Sequence, residues 1–72
     1  MTLADAKVGM TVRIESVDES PMKTRLMAMG LIPNTKAEIL QSAPFGDPIA
    51  IRLRAYNLSL RKDDAKLIKV SV

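Results

Sequence analysis

The side chains that could carry out chemistry are few in this chain of 72 residues. It has no cysteine and no histidine, so a thiolate nucleophile, a disulfide and an imidazole base are excluded. General acid–base catalysis would then need a carboxylate or a lysine in a pocket that shifts its pKa. The acidic residues instead fall at expected turns or on outward strand positions: Asp5, Glu15, Asp18, Glu19, Glu38, Asp47, Asp63 and Asp64. The sequence therefore predicts a protein that is not an enzyme, with no catalytic residue and no cofactor.

Two acidic neighbours, Asp63 and Asp64, are the candidates for metal ligands because they offer adjacent carboxylate oxygens. A divalent transition metal more readily takes imidazole or several clustered carboxylates. We interpret the pair as a turn that caps a short helical segment, and we predict no metal ligand.

Gly46 lies between two prolines, in residues 43–48, and invites comparison with a phosphate-binding loop. Such a loop needs several glycines and a Lys-Ser or Lys-Thr pair, which do not follow here. We therefore give Gly46 a structural role in a connection between strands.

The basic residues are unevenly placed, and the formal net charge is +3. Residues 1–35 hold four acidic and four basic side chains, whereas residues 36–72 hold four acidic and seven basic ones. A basic small domain of this kind raises the alternative of nucleic-acid binding. Bases need aromatic platforms, however, and only Tyr56 lies near these charges, so we expect no nucleic-acid partner. The basic residues concerned are Arg52, Arg54, Arg61, Lys62, Lys66 and Lys69.

One short helix must position part of the surface. Met22, Leu26 and Met29 recur at steps of four and three, which predicts an apolar stripe about two turns long with Leu26 as its core anchor. Gly30 is placed to end the helix with a positive φ, and Pro33 prevents the helix from resuming. Because a helix this short has only marginal stability in isolation, we expect it to pack against the rest of the chain.

The rest of the chain reads as strands and turns. Alternating apolar and polar residues predict that Val12, Ile14, Ile49, Ile51 and Leu53 point inward. Val17 interrupts its alternation, so we expect a bulge or bend there. The predicted strands are residues 11–15, 37–41, 49–54, 57–61 and 68–72. Five short strands favour a small closed sheet that protects its own edges.

Length and hydropathy limit the class of protein. A chain of this size holds one domain, residues 1–72. No apolar run approaches the roughly 20 residues of a membrane helix, and the first residues lack the features of a signal peptide. We expect a cytoplasmic protein that does not insert into the membrane, and the sequence gives no indication about self-association.

Four stretches together resemble one family. They are RLMAMGLIP at 25–33, APFGDP at 43–48, LSLRKDDA at 58–65 and IKV at 68–70. In this order and spacing the chain is similar to the ferrous iron transport protein A (FeoA) family over its whole length. Asn34 stands where the family usually carries glycine, and asparagine tolerates a positive φ.

The resemblance implies a mainly β, SH3-like small barrel of five strands with a helix inserted after the first strand. It also implies a cytosolic accessory of the iron(II) transporter FeoB, whose soluble part is a GTPase domain. A similar domain forms the C-terminal module of iron-dependent repressors, so a transition-metal-sensing module stays an alternative beside nucleic-acid binding.

A contact with that GTPase domain would need an exposed surface, and the helix offers one. At 100° per residue Met27 lies well away from the stripe formed by Met22, Leu26 and Met29. We predict a partner-binding patch that consists of Lys23, Arg25, Met27 and Leu31. Methionine suits adaptable contacts, and charges at the rim mainly set orientation.

Overall fold

Five β-strands and two short α-helices make up half of the computed structural model, which describes residues 1–72. The strands are β1 (Thr11–Val17), β2 (Lys36–Ser42), β3 (Ile49–Arg52), β4 (Asn57–Leu60) and β5 (Ile68–Ser71). The helices are α1 (Lys23–Ala28) and α2 (Lys62–Ala65), and single 3-10 turns occupy Leu3–Asp5 and Pro44–Gly46. The longer helix, α1, has six residues, so no helix here could span a bilayer.

All neighbouring strands pair in antiparallel fashion, in one sheet with the order β4-β3-β2-β1-β5. α1 is inserted between β1 and β2, and the single turn of α2 connects the two end strands, β4 and β5. This arrangement confirms the predicted mainly β fold with five strands and the predicted position of its helix. Each strand end lies within two residues of the predicted one.

The core is entirely aliphatic, as expected for a chain with a single phenylalanine and a single tyrosine. The inner faces of the strands and the buried side of α1 enclose it, so α1 is held by packing rather than by its own short run of hydrogen bonds. Its 15 members are Leu3, Val12, Ile14, Val17, Leu26, Leu31, Ala37, Ile39, Ile49, Ile51, Leu53, Leu60, Ala65, Ile68 and Val70.

Two bulges bend the sheet around this core. The register between β1 and β5 shifts between Ile14 and Ser16, and the register between β2 and β3 shifts between Ile39 and Gln41. A bulge raises the local twist, which helps a sheet of short strands to curl. The bend expected at Val17 was misplaced, since Val17 stays in the ladder opposite Ile68 with its side chain buried.

β3 ends at Arg52, two residues before its predicted end at Arg54. The chain turns there, and the Leu53 amide donates a hydrogen bond of 3.0 Å to the carbonyl of Tyr56. The side chain of Leu53 is nevertheless buried, which confirms its predicted inward position. The prediction of a longer strand was wrong because the tight turn to β4 takes up the last two residues.

α1 ends in a Schellman motif. The Gly30 amide donates to the Met27 carbonyl at 3.0 Å, and the Leu31 amide donates to the Leu26 carbonyl at 3.3 Å. Gly30 has φ +104°, which confirms the predicted positive φ at the helix end. The motif turns the chain back, so the side chain of Leu31 enters the core.

The first residues close the outer edge of β5. Thr2 forms an isolated bridge with Lys69, and the Val70 amide donates to the carbonyl of Met1 at 3.0 Å. The Thr2 amide in turn donates to the Asp5 carboxylate at 2.9 Å, which caps the first 3-10 turn and tucks Leu3 into the core.

Candidate functional site

The residues predicted to bind a partner lie on α1 and just after it. Met27 is half-buried and packs against the core, so only part of its side chain reaches the surface. Lys23 lies one turn before Met27 on the same flank of α1, and its Nζ lies 2.6 Å from Oε1 of Glu19. These two residues form a small surface with an apolar centre and a charged rim.

Leu31 does not belong to this surface. Its side chain is fully buried in the core, so the expectation that it extends an exposed apolar patch was wrong. The cause is the Schellman motif, which directs the residue after Gly30 back onto the last turn of the helix. Leu31 is part of the core and cannot contact a partner in this conformation.

Arg25 lies on the opposite flank of α1 from Met27. Two residues apart on a helix means a rotation of about 200°, so the two side chains cannot share one patch. Arg25 instead lines an open cleft of about 340 Å³ between α1 and the β4–α2 segment. The predicted patch of four residues is therefore divided by the helix into two surfaces.

This cleft runs along the second exposed flank of α1. Met22, Arg25 and Met29 line the cleft from the α1 side, and Arg61 and Asp64 line it from the other side. Two flexible methionines beside charges of both signs are typical of an adaptable protein contact.

A small apolar recess of about 260 Å³ follows the C-terminal end of α1. It lies among Gly30, Ile32, Leu53 and Tyr56. The Tyr56 hydroxyl donates a hydrogen bond to the carbonyl of Met29, so the ring lies against Gly30. Ile32 and Tyr56 remain about half exposed.

The connection between β2 and β3 presents Phe45 to solvent. Phe45 is 98% exposed and has a φ of +71°, an unfavourable backbone conformation for an aromatic residue. The loop is tied down beside it, since Asp47 accepts a hydrogen bond of 3.1 Å from the Lys62 amide and lies 3.5 Å from the Arg61 guanidinium. Phe45 is thus an apolar side chain held outward by a braced loop.

The acidic residues that were weighed as metal ligands lie on α2. Asp63 lies 3.8 Å from Nζ of Lys66, and Asp64 faces the cleft beside α1. No three His, Cys, Asp or Glu side chains come together in a group that could hold a metal ion. The Thr2 amide lowers the pKa of Asp5 by donating to its carboxylate, at a turn and outside any cleft.

Comparison with known proteins shows the family. The model of the FeoA domain matches residues 1–72. This chain belongs to the FeoA domain family. An NMR structure of a FeoA-like protein from Clostridium acetobutylicum is 41% identical, with a TM-score of 0.93 over 100% of this chain and 85% of that one. A relative from Porphyromonas gingivalis is named as a fusion protein of Fe(2+) transport protein A and the Fe(2+) transporter FeoB.

The fusion relative is 32% identical over 75 aligned residues, which cover all of this FeoA chain but only 9% of the relative's length. A crystal structure of Stenotrophomonas maltophilia FeoA, described as a prokaryotic SH3 domain protein in complex with zinc, has a TM-score of 0.88 over 99% of this chain and 89% of that one. At 22% identity this last likeness shows the fold alone, and it confirms the expected SH3-like architecture.

Sequence reasoning missed two exposed features of this FeoA domain, Phe45 and the pair formed by Ile32 and Tyr56. A signal for Phe45 was available, because an aromatic residue flanked by Pro44 and Gly46 in a turn has no strand position from which to enter the core. The pairing of Tyr56 with the end of α1 had no such signal, since it depends on the turn between β3 and β4.

Proposed function

We propose that this FeoA domain is a non-enzymatic accessory and regulator of ferrous iron uptake, which acts by binding the cytosolic GTPase domain of a FeoB-type transporter. The observation that carries the proposal is the Porphyromonas gingivalis relative, whose name joins the two proteins in one chain. Fusion holds two domains at a high effective concentration, which favours a contact between them. We place this contact on the cytoplasmic side of the membrane.

The surface chemistry supports binding rather than catalysis. The exposed features are an outward phenylalanine, a half-buried methionine beside a lysine, and a cleft with two methionines. Apolar anchors of this kind supply affinity when they become desolvated, and the charges around them mainly set orientation and association rate. We propose that Phe45 and the Lys23–Met27 surface contact the transporter, with Arg25 at a separate edge of the interface.

Isothermal titration of the FeoA domain with the purified cytosolic domain of a FeoB-type transporter tests this function. We expect saturable binding whose affinity changes little with ionic strength, because apolar side chains dominate the contact. The titration is repeated with GDP and with a non-hydrolysable GTP analogue, since a regulator of a GTPase is expected to distinguish the two states.

Three outcomes count against the proposal. If the FeoA domain binds neither the isolated cytosolic domain nor the full transporter in detergent, the transporter is excluded as its partner. Tight binding to single-stranded RNA that weakens steeply with salt would favour the nucleic-acid alternative. A rise in melting temperature on adding iron(II), without any binding to the transporter, would favour a metal-sensing module.

A further inference from the structure

An open cleft of about 440 Å³ lies on the outer face of β1, β2 and β3, away from Phe45 and from both flanks of α1. Only one of the eight residues that line it is apolar. It shares Thr35, Leu53 and Arg54 with the apolar recess at Ile32 and Tyr56, so the two form one continuous groove. We call this the outer groove. It has a polar, charged end and an apolar end.

The charged end of the outer groove is strongly basic. Lys36, Arg52 and Arg54 line it, and Arg13 stands directly opposite Lys36 across the β1–β2 pair. Glu38 is the one acidic residue in the lining, and its carboxylate is already engaged by Arg52 at 3.4 Å. Arg13, Lys36 and Arg54 form no ion pair.

Like charges directly opposite one another on a sheet destabilise the folded state. The pairing of Arg13 with Lys36 therefore opposes folding, and neither side chain has an ion-pair partner within the chain. An anionic ligand in the outer groove would offset it, because several cations would then face opposite charge at short range.

The apolar end limits what that anion can be. Ile32 and Tyr56 leave a recess of about 260 Å³, next to Arg54, and the Tyr56 hydroxyl is held by the Met29 carbonyl. A recess of that size accepts one apolar side chain. We propose that the outer groove binds an extended acidic peptide segment in which carboxylates flank a single apolar residue. The carboxylates face Lys36, Arg54 and Arg13, and the apolar side chain enters the recess.

Charge complementarity alone would also suit a nucleic acid, but the lining argues for a peptide. Bases bind by stacking on successive aromatic side chains, and Tyr56 is the only aromatic residue in the groove. The proposal concerns a different face from the contact with the transporter and stands without it.

Fluorescence anisotropy with defined probes tests the inference on the whole chain. The probe is a short synthetic peptide in which glutamates flank one leucine, and two matched peptides carry glutamine for glutamate or serine for leucine. Charge reversal by Lys36→Glu and by Arg54→Glu is compared with Lys66→Glu. Lys66 lies beyond the end of α2, outside the groove, and the change in net charge is the same.

We expect the peptide of glutamates and leucine to bind wild type, and each groove variant to weaken this binding about tenfold or more. Lys66→Glu should weaken it far less, and both matched peptides should bind more weakly than the parent. Lys36→Glu should also leave the melting temperature unchanged or raise it, because it replaces a like-charge pair with Arg13 by an opposite one.

Several results would overturn the inference. One is equal loss of affinity in Lys66→Glu and Lys36→Glu, which would mean attraction by net charge alone. Another is equal binding of the leucine and serine peptides, which would leave the recess without a role. A third is a single-stranded oligouridine that displaces the labelled peptide at a lower concentration than unlabelled peptide does, which would make the groove a nucleic-acid site. A fourth is the absence of any peptide binding, which would refute the proposal.

Discussion

The hydroxyl of Tyr56 donates a hydrogen bond to the main-chain carbonyl of Met29, and this bond sets the aromatic ring against Gly30. The end of α1 is thereby fastened to the turn between β3 and β4. A Cβ added at Gly30 would overlap the Tyr56 hydroxyl, so the position demands glycine for two separate reasons, its positive φ and its neighbour.

We predict that Gly30→Ala destabilises the domain more than Gly9→Ala. Gly9 also has a positive φ, at +92°, but nothing lies within 4 Å of its Cβ position. Gly9→Ala should therefore lower the free energy of unfolding by the conformational penalty alone, about 1–2 kcal/mol. Gly30→Ala adds overpacking against Tyr56 of about 1–3 kcal/mol. Urea denaturation of both variants measures the difference.

The same overlap can be removed from the other side. In a Tyr56→Phe background the hydroxyl is gone, so the loss caused by Gly30→Ala should fall toward that of Gly9→Ala. A double-mutant cycle reports this coupling. Equal losses in the two backgrounds would show that φ alone decides the choice of glycine.

Leu26 should be the residue of α1 on which stability depends most. Its side chain is 1% exposed within the core, and truncation of such a leucine costs about 2–5 kcal/mol. We expect Leu26→Ala to leave a partly unfolded population in water, because a domain of this size has little stability to lose. Thr24→Ala, on the exposed side of the same helix, is the matched control and should change the unfolding free energy by less than about 0.5 kcal/mol.

Phe45 should matter for binding and little for folding. The side chain buries almost nothing, and asparagine tolerates its φ of +71°. Phe45→Asn is therefore expected to keep the melting temperature of wild type while it weakens binding to the transporter's cytosolic domain about tenfold, or about 1.4 kcal/mol. Unchanged affinity in calorimetry would exclude the loop from the interface.

Met27 should show a different balance, because it is half-buried and packs on the core. Met27→Gln keeps the length of the side chain and makes its end polar, which we expect to weaken binding by about 1–2 kcal/mol with a modest fall in melting temperature. Met27→Leu preserves the apolar character and should bind like wild type. If both variants lose affinity equally, the effect comes from altered packing of α1.

Asp5 should make folding sensitive to acid. The hydrogen bond from the Thr2 amide lowers its pKa below the ordinary 3.8; desolvation opposes this, and the Thr2 hydroxyl, the N-terminal ammonium and Lys69 reinforce it. A lowered pKa in the folded state contributes stability above pH 3.8 that is lost as the pH falls through the folded value. Asp5→Asn should thus melt below wild type at pH 7, and the two melting temperatures should converge once the pH falls below the lowered pKa of Asp5. A gap of constant size would show that Asp5 acts only through its shape.

The sequence predicted the elements of the fold well and the surface poorly, and the reason is physical. Alternation at Ile49 and Ile51 and the stop signal at Gly30 are local patterns, so they could be read without knowing what they pack against. The burial of Leu31 was misjudged because the hydrogen bonds of the Schellman motif redirect one residue. The outer groove could not be foreseen, since the pairing of Arg13 with Lys36 depends on the register of two strands.

The pairing of β1 with β5 has a consequence for biosynthesis. Arg13 pairs with Ser71 and Val17 with Ile68, so the backbone hydrogen bonds of β1 are complete only after β5 has been synthesised and has paired with it. Closing so long a loop is slow, because the chain loses conformational entropy before the contacts between β1 and β5 stabilise the fold. The hairpin of β1 and β2 with α1 can form before β5 has been synthesised, but the finished domain cannot. Any chaperone or partner that meets the nascent chain therefore meets an open sheet with the apolar face of β1 still uncovered.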